Sequence, residues 1–139
     1  LHAYVSGLGV ELMAASDNVL RGGLTPKHID VPELLSLLDA RPTSPPFLTP
    51  RAAGTGVRIF DAGIPDFALA EVEVGAETAP VELTGTALVL AVAGEVEVAG
   101  SSASLPLAPG QAALATADEG PLRFSGRGHA FLAMPGRAS

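Results

Sequence analysis

With no cysteine in 139 residues, this chain has no thiolate nucleophile, no thiolate metal ligand and no disulfide. Its chemistry must come from three histidines, 15 carboxylates and eight cationic side chains. The front of the chain groups several of them: His2, Glu11, Asp17, Arg21, Lys27 and His28. A neutral imidazole can ligate a metal, a carboxylate can move a proton, and Arg with Lys can fix a phosphate. Each residue also has an ordinary reading. His2 fits a strand histidine, Glu11 an outward strand carboxylate, Arg21 a loop arginine bonded to nearby carbonyls, and Lys27 a solvated lysine beside a turn. His28 and His129 read as structural or surface residues.

Composition narrows the classes. An apolar share of 47% excludes a disordered, charge-rich chain, and the length suits one ordinary domain or a small domain plus part of another. A net charge of −7 argues against nucleic-acid binding, which needs a concentrated basic face. No apolar run reaches the roughly 18 residues of a membrane span, and no basic-then-apolar signal peptide opens the chain. The chain starts at Leu1, directly in a patterned segment, and reads as the back end of something longer.

The elements that must position those residues follow from local pattern. LHAYVSGLGVELM (1–13) mixes β-branched and aromatic residues with Gly and predicts strand, bend, strand. The next stretch crowds Ser16, Asp17, Asn18, Gly22, Gly23 and Pro26 into loop chemistry. Asp30 is a suitable N-cap for a short helix whose first turn holds Pro32 and Glu33. Leu34, Leu35, Leu37 and Leu38 give that helix a buried stripe, and Arg41-Pro42 ends it. PTSPPFLTPRAAGTG (42–56) holds four Pro and two Gly and predicts an extended linker. Beyond it, 57–135 reads as all-β. ALAEVEV (68–74) alternates, with Ala70, Val72 and Val74 inward and Glu71 and Glu73 outward. ALVLAVAGEVEVAG (87–100) reads as two strands about a bend at Gly94. LPLAPGQAALATA (105–117) reads as a strand end, a turn at Pro109-Gly110 and another strand. Segments 121–124 and 129–134 complete a sandwich or small barrel.

GEVEVAG followed by LAPGQ resembles the cupin barrel. Metal-binding cupins carry His-x-His before the Gly, yet PVELTGTALVLAVAG has no His, and Leu122 stands where the second motif would place one. The resemblance therefore implies a metal-free barrel. The front is more specific. LHAY, ASDNVLRGGLTPK and the VPEL helix, in order from Leu1 to Leu35, resemble the closing part of the catalytic domain of type I mannose-6-phosphate isomerase (phosphomannose isomerase), a zinc enzyme of cupin fold.

That resemblance implies an all-β, cupin-like β-barrel or jelly roll, preceded by the last strands and a short helix of a catalytic cupin domain. Residues 1–41 would close the catalytic domain, 42–56 would link, and 57–139 would form a metal-free carboxy-terminal domain. It makes His2 the last of four zinc ligands, the other three lying in sequence this chain lacks. It makes Arg21 catalytic, Glu11 a proton-transfer or hydroxyl-contacting group, Lys27 a phosphate contact, and Asp17 an orienting group for Arg21 or a sugar hydroxyl. Such a chain would serve interconversion of mannose 6-phosphate and fructose 6-phosphate, with one zinc per intact enzyme and an incomplete site here, and would be inactive alone. The alternative is a non-catalytic cupin-like sugar-binding or assembly module. A sugar phosphate is the expected partner, with neither nucleic acid nor membrane, in a cytoplasmic setting. Unpaired strands in 1–30 would self-associate or be poorly ordered.

Overall fold

Alternation every second residue dominates the chain after residue 56, and it is there that the computed structural model builds a sheet. The structure describes residues 6–15, 19–42, 44 and 46–137. Two compact units follow one another, Leu1–Pro46 and Phe47–Ser139.

In the first unit one helix, α1 (Val31–Leu37), forms where the capping residues place it. The Asp30 side chain accepts a hydrogen bond from the Glu33 backbone N–H at 3.0 Å, and Pro32 sits in the first turn. The helix stops at Leu38, which is extended, three residues before Arg41. Its leucine stripe is a correction to expectation: Leu35 and Leu37 are exposed and only Leu34 is half-buried. None of the described residues of this unit is buried, so the stripe has no core to join there. Residues 6–13 likewise form no strand. A strand needs a neighbour for its N–H and C=O groups, and among the described residues none pairs with this segment. Residues 1–5 of the expected strand lie outside the described residues.

The second unit is a seven-stranded antiparallel sheet: β1 (Arg51–Ala52), β2 (Val57–Asp61), β3 (Ala68–Val74), β4 (Ala87–Ala99), β5 (Ser104–Leu107), β6 (Ala112–Ala115) and β7 (Arg123–Met134). The order is β1-β2-β3-β7-β4-β5, with β6 also paired to β4. The 42–56 stretch is thus not all linker, since Arg51 and Ala52 pair with Ile59 and Arg58. Val57 of β2 and Leu107 of β5 share one apolar cluster, so the sheet curls and closes its inner face upon itself. Antiparallel throughout, it is the cupin-like architecture the sequence implied.

The two longest strands make the frame. β4 and β7 pair from Leu88↔Ala133 to Ala99↔Arg123, so each of the two sequence segments read as a pair of strands is one continuous strand. The buried positions of β4 explain the difference. They run 87, 89, 91 and then 96, 98, changing phase because a β-bulge lies between Ala91 and Ala93. An extra residue on one strand re-aims every side chain beyond it.

Candidate functional site

The loop that carries the front motif is held locally. Gly23 has φ 144° and Leu24 φ 54°, and the Lys27 backbone N–H donates to Thr25 Oγ1 at 3.2 Å. Arg21 in this loop is half-buried, whereas Glu11 and Lys27 are exposed. Among the described residues, no hydrogen bond or ion pair joins Glu11, Arg21 and Lys27 to one another. His2 and Asp17 lie outside the described residues. No group of three His, Asp or Glu that could hold a metal occurs among the described residues.

The second unit brings together Arg58, Glu71, which alternation placed outward, and His129, which read as a structural or surface residue. Glu71 on β3 receives Arg58 of β2 at 2.8 Å and His129 of β7 at 3.0 Å, one partner on each carboxylate oxygen. Its side chain is only 13% exposed. His129 stacks at a tilt on Phe131, ring centroids 4.8 Å apart. In register, Arg58 pairs with Glu71 and Glu73 with His129, so β3 places its carboxylates between a cation and an imidazole; the sequence carries no local signal for that pairing. Such a cluster stitches three strands on their outer face. Glu71→Gln is expected to lower stability by about 1–2 kcal/mol, and Arg58→Gln, at the exposed end, by less than about 0.5. Urea unfolding of both variants checks the order; equal losses, or none for Glu71→Gln, would remove the cluster from the account of stability. Leu122 is fully buried and pairs with Val81 as part of the core.

No family model matches the chain. Over 128 residues, however, it is 36% identical to the mannose-6-phosphate isomerase of Salmonella typhimurium, covering 91% of this chain and 33% of that enzyme. The Escherichia coli K12 enzyme of the same name is 35% identical over 129 residues, with the same coverage of both chains. A solved mannose 6-phosphate isomerase from Salmonella typhimurium, bound to substrate and zinc, shares 32% identity with a TM-score of 0.76 over 89% of this chain and 32% of its own. The chain belongs to the mannose-6-phosphate isomerase family. It spans about a third of the length of the curated mannose-6-phosphate isomerases it matches, which fits a carboxy-terminal portion of such an enzyme. No helix among the described residues is long and apolar enough to cross a membrane.

Proposed function

We propose that this chain supplies the Arg21 loop and the carboxy-terminal cupin-like domain of a zinc-dependent mannose-6-phosphate isomerase, and that it is inactive alone. The likeness to family enzymes over 91% of the chain carries this reading. Aldose–ketose isomerisation between mannose 6-phosphate and fructose 6-phosphate moves a proton between C2 and C1 through an enediol. Arg21 is the catalytic cation that stabilises the developing oxyanion, Glu11 the group that takes or gives the proton, and Lys27 the contact that fixes the phosphate. Asp17 orients Arg21 or holds a sugar hydroxyl. His2 is the one zinc ligand this chain contributes, and one ligand holds zinc weakly. Arg21 is half-buried whereas Glu11 and Lys27 are exposed, which supports the arginine as the most constrained of the three. The acidic balance and lack of cysteine support a cytoplasmic setting. Residues 6–13, which pair with no strand among the described residues, are where a second copy would add one, which light scattering would read as a dimer.

A coupled assay with mannose 6-phosphate and micromolar zinc tests the reading. The chain by itself is expected to give no turnover, and co-expression with the first two thirds of the Salmonella enzyme is expected to restore it. In the restored assembly Arg21→Gln should lower kcat about 10²–10³-fold. Turnover by the chain alone would overturn its inactivity. Failure of rescue, with sugar still bound, would favour the non-catalytic module.

A further inference from the structure

The second unit contains a cavity of about 270 Å³ beside β2, walled by the 80–84 segment and the end of β7. Its floor is apolar, formed by the buried side chains of Val57, Val81 and Met134. Its charged residues are two cations, Arg51 and Arg137, and two carboxylates, Asp61 and Glu82. The wall is fixed rather than loose: Thr84 donates its hydroxyl to the Pro135 carbonyl, tying the 80–84 segment to the end of β7. Among the described residues none of the four charges is in an ion pair. Asp61 accepts the Gly63 backbone N–H at 2.9 Å through one oxygen, which leaves its other oxygen free of a partner among the described residues.

We propose that this cavity binds a small polyol carrying a phosphate or carboxylate. Two arginines with no carboxylate partner suit an oxyanion, since guanidinium groups donate paired N–H bonds to planar or tetrahedral anions. Carboxylates in the same pocket would repel that anion unless they face a different part of the ligand. Hydroxyl groups, which donate to carboxylates, satisfy both requirements in one molecule. The apolar floor then receives the C–H face of the carbon chain, and the volume lies near the lower end of small-molecule pockets, roughly 300 Å³. An anion without hydroxyls would leave Asp61 and Glu82 unanswered, and a neutral sugar would leave the arginines so. The site shares no residue with Glu11, Arg21 or Lys27, and it stands or falls apart from the isomerase reading.

Amide-resolved NMR titration of the 139-residue chain tests it, using sorbitol 6-phosphate, gluconate, inorganic phosphate and sorbitol as probes. Either or both of the first two are expected to give saturable shifts at Ile59, Val81 and Met134, and their relative affinity identifies which anion is preferred. Arg51→Gln and Arg137→Gln should each weaken binding about tenfold, with Arg123→Gln as an unaffected charge control. Asp61→Asn should weaken sorbitol 6-phosphate without changing inorganic phosphate. No shift with either polyol anion up to about 10 mM would overturn the proposal. So would equal affinity for inorganic phosphate, or shifts confined to residues 11–27. Dispersed spectra of each variant show that it has folded.

Discussion

Leu132→Ala is expected to destabilise the second unit by about 3 kcal/mol, the middle of the range for emptying a leucine site in a closed core. Leu132 lies on β7 between Ala70 of β3 and Val89 of β4, and all three are fully buried. Both neighbours in the row are smaller than leucine, so neither is long enough to fill the vacated space. The central strand is also paired on both edges, which keeps the backbone from moving inward. Cavity cost is therefore close to its unrelaxed value. For a unit of this size such a loss lowers Tm by more than about 10 °C. Thermal unfolding followed by circular dichroism would measure it. A shift of a degree or two would mean that the inner face is not closed around Leu132, and that the sheet stays open where the core cluster is drawn shut.

The same row shows which parts of this molecule could be read from residues alone. ALAEVEV has one phase from end to end, so its buried and exposed positions came directly from alternation. The Asp30 cap was equally legible, because Asp, Pro and Glu in that order each satisfy a local requirement of a helix start. Reading failed where the outcome depends on partners. Whether 6–13 pairs, and whether the leucines of α1 are covered, is decided by surfaces that a local pattern does not contain. Alternation put Glu71 on the correct outward face, but it gives the face of a strand and not the neighbours that arrive on it from β2 and β7.

The candidate site divides along the same line. ASDNVLRGGLTPK marks the family because a long motif is improbable by chance, and similarity to mannose-6-phosphate isomerases over most of the chain agrees with it. Yet the motif lies in the unit where no described residue is buried, while the buried hydrophobic residues all belong to the second unit. Recognition thus rests on residues whose geometry is set by loops, and fold rests on the buried residues of the second unit.

Gly94→Ala should be the most damaging single-atom addition in the sheet, costing about 3–4 kcal/mol. Gly94 has φ 74°, a left-handed value, and lies opposite Gly128 just past the bulge in β4. A Cβ there would stand 2.6 Å from the Gly128 Cα and closer still to the Arg127 carbonyl oxygen. Both obstacles are backbone of the paired strand, so neither can rotate away as a side chain would. Relief requires either opening the β4–β7 ladder or moving Gly94 out of its positive φ, and each undoes the phase change that lets 87, 89, 91, 96 and 98 all face inward. Denaturant unfolding of Gly94→Ala beside Gly110→Ala separates the two contributions. Gly110 also has positive φ, at 85°, but an added Cβ meets nothing within 4 Å, so its substitution carries backbone strain alone and should cost about 1 kcal/mol. Equal losses at the two sites would show that strain, not the closeness of β7, makes Gly94 necessary, and the bulge would then tolerate a side chain.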